Sequence, residues 1–331
     1  MAPPADVLGV LSRDIREQDL LDCLLIDPLR VGDALVGRAP ALAAWKNLIR
    51  SRFCHSVVIE APKPVAGHRI VGFGIDVFVT RSFAEAEISR PSPGLNDRIL
   101  ASLCSGRPVV LTESEVRAAN TRGGLDLAIL YGCWRQGLAG PDAVSEVCTA
   151  LSTSFMELHR GYRIHQLLTE VIGEEQRQQF EATHAWRVVK IFDTGEGLIP
   201  RGRAVVTRND ALTVTASLVN GLFHYREPLL GLRDPDQELL LAALGGLTDE
   251  GLAGKLGLTV AAVKKRWISL FERTIDARPD LFPSPLPHDG QKRGRQKRHL
   301  ILAYVRSRPE ELRPVEGRRE GQLAHSGVGV R

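Results

Sequence analysis

The pattern of hydrophobic and polar positions predicts several strands in the first two thirds of the chain. Residues 70–80 are the clearest strand, because Val, Ile and Phe are concentrated in IVGFGIDVFVT. Three further apolar runs also predict strands, at 56–60, 125–133 and 186–192. Asn209 and Asp210 lie in the middle of the run 204–215 and indicate a hairpin turn there.

Apolar residues spaced three or four positions apart predict the helices of this region. Two amphipathic helices are expected at 8–25 and 41–52, and a longer helix at 142–172 that is interrupted near Gly161. Strands and helices mixed in this order predict a mixed sheet covered by helices. We therefore expect one α/β domain over residues 1–225.

The last third of the chain predicts a bundle of short helices. Residues 239–274 contain three apolar-periodic segments, the second of which ends at Gly257. Thr248 and Thr259 suit the starts of the second and third helices, because a threonine hydroxyl accepts an unpaired backbone N–H there. Glycine adopts positive φ at little cost, so Gly257 suits the turn. Two helices joined in this way form a helix-turn-helix, whose second helix lies in the DNA major groove.

Charge is concentrated in the same region. The chain of 331 residues has a formal net charge of +4. Residues 255–306 contain 12 Lys and Arg against 4 Asp and Glu, a balance of +8, whereas residues 1–225 contain 24 against 25. A basic stripe confined to one segment is the electrostatic pattern expected of a nucleic-acid-binding domain. An ordinary solvated helix face is the alternative interpretation of these charges.

Residues 239–274 resemble the LuxR-type C-terminal DNA-binding domain. Residues 246–253 match its second helix, residues 256–259 its turn, and Val263-Lys264 its third helix, whereas Gly251 and Arg266 depart from the usual Glu and His. The resemblance implies a transcriptional regulator that binds double-stranded DNA as a homodimer, with RNA polymerase as a further possible partner. We expect Lys264, Lys265 and Arg266 of the third helix, which Thr259 begins, to contact DNA. Further basic residues are expected to add phosphate contacts: Arg273, Lys255, and Lys292, Arg293, Arg295, Lys297 and Arg298 of the basic run 292–298.

The first domain resembles the GNAT class of acyltransferases. The resemblance is carried by the strand at 125–133, the helix containing residues 159–163, and the strand at 186–192. The family cradles a pyrophosphate with Arg/Gln-x-x-Gly-x-Gly/Ala. Aligned on Arg160, this chain places Arg163 and His165 at the two glycine positions, where their side chains would keep backbone amides from the phosphate. We therefore expect the fold without the acyl-CoA chemistry, and no catalytic residue.

Other common site signatures are missing from the sequence. The five cysteines show no CxxC or Cys/His metal spacing, and phosphate-loop, zinc-protease and serine-hydrolase motifs do not occur. Three histidines, His159, His165 and His184, are expected to be ordinary surface or hydrogen-bonded side chains. Gly72 and Gly74 are expected to serve sheet packing. The sequence predicts a cytoplasmic protein with no membrane span, no bound metal and no cofactor.

The complete sequence-based prediction is a regulator of two domains. An α/β sensor or dimerisation domain at 1–225, open to an unknown small-molecule effector, is followed by a linker at 226–236 and the helix-turn-helix domain at 237–277. A proline-rich spacer, basic run and short helix follow at 278–312, and a disordered tail at 313–331. Two alternatives stay open: an acyl-CoA-dependent, GNAT-like transferase with a DNA-binding tail, and a sigma-like initiation factor.

Overall fold

The computed structural model describes most of the chain and divides it into two compact units. The described residues are 8–26, 39–138, 140–193, 199–214, 218–282 and 290–316, and within them the side chains of 39–41, 218 and 290–295 are not described. The units are Met1–Phe223 and His224–Arg331.

A seven-stranded mixed sheet forms the centre of the first unit. Its order is β1-β2-β3-β4-β5-β7-β6. All neighbouring strands are antiparallel except β4 and β5, which are parallel. The strands are β1 (Leu11–Asp14), β2 (Cys54–Val65), β3 (His68–Val79), β4 (Leu125–Trp134), β5 (Ile164–Ile172), β6 (Arg187–Phe192) and β7 (Arg201–Thr207).

Helices cover both faces of this sheet. The parallel pair needs a crossover connection, which α6 provides between β4 and β5. Three helices, α3 to α5, lie between β3 and β4 in the chain. The described helices of the unit are α1 (Leu20–Leu24), α2 (Ala39–Arg50), α3 (Arg81–Ser89), α4 (Leu95–Cys104), α5 (Glu113–Thr121), α6 (Gly140–His159), α7 (Glu174–Ala182) and α8 (Arg208–Thr213).

The side chains of β3 show which core lies on which face. Phe73, Ile75 and Val77 belong to the core beneath α1 to α4. Gly72 and Gly74 point the other way, towards Val147 and Leu151 of α6. This alternation is what a strand buried on both faces requires.

The predicted strands at 70–80, 125–133 and 186–192 are confirmed, but three other predictions of local structure are wrong. Residues 8–25 form β1 and the short α1 instead of one helix. The predicted helix at 142–172 ends at His159 and continues as β5, because Gly161 (φ +85°) breaks it. At 204–215, β7 is followed by α8 and not by a hairpin turn, because Thr207 and Asp210 form a reciprocal capping box.

The second unit consists of helices around a separate core. Leu239, Trp267, Leu270, Ile301 and Val305 are buried there. Short 3₁₀ turns at Pro279–Leu281 and Pro309–Leu312 complete it. Its helices are α9 (Asp234–Leu244), α10 (Asp249–Leu256), α11 (Val260–Ala277) and α12 (Gly290–Ser307).

The predicted caps of this unit are confirmed. The Thr248 hydroxyl accepts the backbone N–H of Gly251, and the Thr259 hydroxyl accepts that of Ala262. Gly257 ends α10 in the left-handed conformation, with φ +63°. The local geometry therefore follows from the sequence. These caps establish the helix boundaries and do not test DNA binding.

The basic run at 292–298 belongs to a longer helix than expected. It lies inside α12, which begins at Gly290 and extends through the predicted short helix. The proline-rich residues 283–289 and the tail residues 317–331 lie outside the described residues. In the described part of the chain, every helix is too short or too polar to cross a bilayer.

Candidate active site

The sheet splits where its two parallel strands part. Pairing between β4 and β5 runs from Leu125 and Ile164 as far as Ile129 and Thr169. Beyond that point β4 continues to Trp134. Ligands of α/β proteins commonly bind beyond the carboxyl ends of parallel strands. The split therefore marks the first place to look for a site.

One face of the split is closed and the other is open. On the face beneath α4, the side-chain amide of Asn96 donates to the carbonyl oxygen of Leu130 at 2.9 Å. The Thr169 hydroxyl donates to the carbonyl oxygen of Ile129, its partner across the split, at 2.9 Å. On the face beneath α6 there is a cavity of about 760 Å³. Its lining is mostly apolar, and the principal lining residues are Val57, Ile129, Trp134, Leu151, Phe155, Met156, Trp186, Val214 and Val219.

Glycines on the sheet leave room for this cavity. Gly74 and Gly132 lie opposite each other on β3 and β4, and both line the cavity. A Cβ atom at Gly132 would have no neighbour within 4 Å. At Gly72, in contrast, a Cβ would lie 2.8 Å from Val147, because α6 packs directly on the sheet there. The expected packing role is confirmed for Gly72, whereas Gly74 forms part of the cavity floor.

Asp76 is the charged residue of the cavity floor. It lies on β3, lines the cavity and is only 5% exposed. Its Oδ1 has no hydrogen-bond partner among the described residues. Burial raises the pKa of the Asp76 carboxyl well above its usual range. A buried carboxyl group in a cavity whose pKa is raised by its surroundings is a candidate for proton transfer.

Aromatic and imidazole rings surround this part of the sheet. His55 is the cross-strand partner of Asp76 on β2. Its ring packs edge-on against His159, with 4.4 Å between centroids, and against Phe78 at 5.3 Å. His159 donates from Nδ1 to the Phe155 carbonyl oxygen at 2.8 Å, which confirms it as a hydrogen-bonded core histidine. The cluster fixes the end of α6 against the sheet beside the cavity.

The other two histidines lie at different places. His165 bonds the buried Asp126 at 2.9 Å, and Arg81 pairs with the same carboxylate at 2.5 Å. His184 lines the cavity, is exposed, and has a left-handed backbone (φ +56°). No cluster of three or more potential ligands suits a metal ion in the described ranges.

The alignment of the pyrophosphate-binding signature on Arg160 is wrong. Arg163 and His165 follow the carboxyl end of α6, so they do not lie at a helix start where amides could bind phosphate. The loop that does precede the helix is 135–140, and it carries Arg135 and Gly140 at the signature spacing, with Leu138 in place of the first glycine. The objection to acyl-transfer chemistry based on Arg163 and His165 therefore fails.

The loop at 135–140 nevertheless departs from a phosphate cradle. Arg135 is engaged elsewhere, since it pairs with Asp22 at 2.8 Å and donates to the Ile70 carbonyl. Pro141 removes one backbone donor from the first turn of α6, and Asp142 adds a negative charge. These features disfavour binding of a phosphate group at this loop.

Several residues predicted to contact DNA have partners within the second unit. Arg273 pairs with Asp236 and Arg298 pairs with Asp249. The ammonium group of Lys297 lies over the rings of Phe271 and Phe282. Three others, Lys255, Lys264 and Lys265, are exposed, and Arg266 is half-buried. The side chains of Lys292, Arg293 and Arg295 lie outside the description, and DNA contact by this whole set stays a prediction.

Arg298 has a structural role that can be measured. Its guanidinium lies 4.8 Å from the Trp267 ring centroid and bonds both carboxylate oxygens of Asp249. We expect Arg298→Ala to cost about 1–2 kcal/mol locally, because a partly desolvated cation–π contact and a bidentate pair are both lost. Hydrogen exchange in α10 and α11 should accelerate roughly tenfold. Lys264→Ala is the control, and equal exchange in both variants would contradict the assigned role.

Comparison with known proteins gives matches to solved structures alone. No protein-family profile matches the chain, and no curated protein matches it. A GNAT-family acetyltransferase from Bacillus cereus shares 13% identity over 60% of this chain and 96% of its own, with a TM-score of 0.30. Naa50 of Arabidopsis thaliana shares 10% over 60% and 99%, with a TM-score of 0.34. FeeM, an N-acyl amino acid synthase from uncultured soil microbes, shares 10% over 64% and 95%, also with a TM-score of 0.34.

These matches correct the main sequence-based prediction. No match supports the interpretation of the chain as chiefly a LuxR-type, DNA-binding transcription regulator, and the solved structures, which include a GNAT-family acetyltransferase and an N-acyl amino acid synthase, point away from it. The resemblance of the first unit to the GNAT class is supported, and the helix-turn-helix assignment is not.

Proposed function

We propose that the first unit transfers an acyl group from a thioester donor to an amine acceptor. The proposal takes up the GNAT resemblance of the strands at 125–133 and 186–192. The observation that carries it is the unpartnered, buried Asp76 carboxyl in an apolar cavity at the split between β4 and β5. An uncharged acyl thioester suits such a lining, and an amine nucleophile needs a base.

The reaction follows from the position of the carboxylate. The amine nitrogen attacks the thioester carbonyl carbon, so an N–C bond forms and the C–S bond breaks. Asp76 accepts the proton that the nitrogen loses, and the sulfur leaves as a thiolate that is protonated to the thiol. General-base assistance of this kind contributes about 10²–10⁴-fold to a rate.

The test is a direct search for the product. The full chain is incubated with acyl-CoA donors of different lengths and a mixture of amines, amino acids and peptides, and products are identified by mass spectrometry. We expect an N-acylated product that requires both the protein and the donor. A donor presented on an acyl carrier protein is the second arm, because the loop at 135–140 departs from a phosphate cradle. Absence of product from both donors across the acceptor mixture would overturn the proposal.

A further inference from the structure

We infer that the cavity binds a fatty acyl chain, so that the donor is a fatty acyl thioester and not an acetyl thioester. This inference rests on the proposed function. The first observation is volume. With a methylene given the liquid volume of one water, about 30 Å³, a ten-carbon chain needs roughly 300 Å³. The cavity of about 760 Å³ accommodates that chain together with an acceptor, whereas an acetyl group would leave most of it unfilled.

The second observation is the arrangement of the walls. Leu151, Phe155 and Met156 line the cavity from α6, and Trp186 lines it from the segment before β6. Phe155, Met156 and Trp186 are only partly buried by the protein, so their apolar surface is available to a ligand. An unbranched methionine side chain also adapts to the shape of a flexible chain. These walls suit an alkyl chain better than a polar group.

The third observation is the glycine floor. Gly74 and Gly132 remove two side chains from adjacent strands of the cavity floor, and a Cβ atom at Gly132 would have no neighbour within 4 Å. Asp76 lies two residues beyond Gly74 on the same face of β3, so the reacting carbonyl belongs at the Asp76 end of the cavity and the chain extends over the glycines. Length selection should therefore depend on the space above Gly132.

The affinity of the cavity for an alkyl ligand should increase with the number of carbons in the chain. Burial of one methylene contributes about 0.8 kcal/mol, which is about fourfold in affinity. Affinity should rise by about this factor per carbon and level off when the cavity is full. A site built for acetyl groups would show no such rise beyond two carbons.

The experiment uses a ligand that cannot react. S-alkyl pantetheine thioethers of 2–14 carbons carry the portion that coenzyme A and acyl carrier proteins share, and their binding is measured by calorimetry. We expect the fourfold rise per carbon to continue well beyond two carbons, until the cavity is full. Gly132→Leu should lower affinity for the ten-carbon ligand at least tenfold, because its side chain occupies the cavity. Ser152→Leu, on the α6 wall, provides a second obstruction that does not alter a strand.

A control variant, together with kcat/KM measured for acyl thioesters of different lengths, separates this inference from the proposed function. Gly123→Leu adds the same side chain at a glycine that also has open space but does not line the cavity, and it should leave affinity unchanged. Length-independent binding, or wild-type affinity in both obstructed variants, would overturn the inference. Equal kcat/KM for acetyl and decanoyl thioesters would overturn it while leaving acyl transfer in place. Length-dependent binding without turnover would support the chain site and remove the proposed function.

Discussion

Asp76→Asn is expected to lower acyl transfer by about 10²–10⁴-fold while it makes the protein more stable at neutral pH. The loss of rate follows from removal of the base. The gain in stability follows from burial, because a carboxylate without a hydrogen-bond partner is costly and a neutral amide is less so. We expect about 1–3 kcal/mol, allowing for the amide's own burial cost. Product formation and chemical denaturation measure the two effects on the same sample.

The stability contributed by Asp76 should fall as the pH rises. Burial raises the pKa of folded Asp76 above its unfolded value, so the neutral carboxyl favours the folded state at low pH and that contribution is lost as the pH rises through the folded pKa. The advantage of Asp76→Asn should therefore shrink towards pH 4. In the wild type, kcat/KM should rise as Asp76 ionises. His55 on β2 and His184 and Cys148 at the cavity are other ionisable side chains beside Asp76, so comparison with the Asn variant identifies the part of the pH–rate profile that belongs to Asp76.

Asp14→Asn is the matched control for this prediction, since Asp14 is also a strand carboxylate but is exposed. It should change neither rate nor stability appreciably. Full activity in Asp76→Asn would show that another group acts as the base. Destabilisation of Asp76→Asn at pH 8 would show that the carboxylate has a partner that stabilises its charge.

Glu87→Gln is expected to destabilise the first unit by about 3–5 kcal/mol. Glu87 lies on α3 and bonds Arg203 of β7 at 2.8 Å, where the Arg203 side chain is 0% exposed. The second carboxylate near that guanidinium, Glu170, is more distant at 3.7 Å. Loss of the Glu87 charge would leave a buried cation poorly compensated. Burial already lowers the pKa of Arg203, against the opposing effect of Glu87 and Glu170.

Thermal unfolding measures this effect. For a unit of this size, each kcal/mol shifts Tm by about 2–4 °C, so a decrease of roughly 6–20 °C is expected. Glu85→Gln removes an exposed carboxylate from the same helix and should be nearly neutral. Similar Tm values for the two variants would mean that the buried pair does not anchor the segment between β3 and β4.

The sequence predicted the apolar elements of the fold better than their connections. The strands at 70–80 and 125–133 were identified because a buried strand is a continuous apolar run, which local composition reveals. Residues 164–172, which form β5, were assigned to the helix predicted over 142–172, because a short apolar run does not distinguish a buried strand from a helix. That error displaced the phosphate-loop alignment to Arg160 and led to rejection of acyl transfer.

The candidate site was missed for a different reason. The signal was present, because Asp76 is the only charged residue in the run IVGFGIDVFV, and a buried unpaired carboxylate is rare in a central strand. Its cavity, in contrast, depends on Gly132 from β4 and Leu151 from α6, which only the tertiary fold brings beside Asp76. In the second unit the caps at Thr248 and Thr259 were predictable because they are local. The contacts of Arg298 with Asp249 and Trp267 were not predictable, because those residues are distant from Arg298 in sequence.

The most direct test of the acyl-transfer account is a crystal structure with a non-reactive ketone analogue of a medium-chain acyl thioester. The account predicts that the alkyl chain lies among Leu151, Phe155 and Trp186, over Gly132. It also predicts that the ketone carbon faces the Asp76 carboxylate, with room for one amine nitrogen between them. An analogue bound outside this cavity, or one whose ketone points away from Asp76, would contradict it.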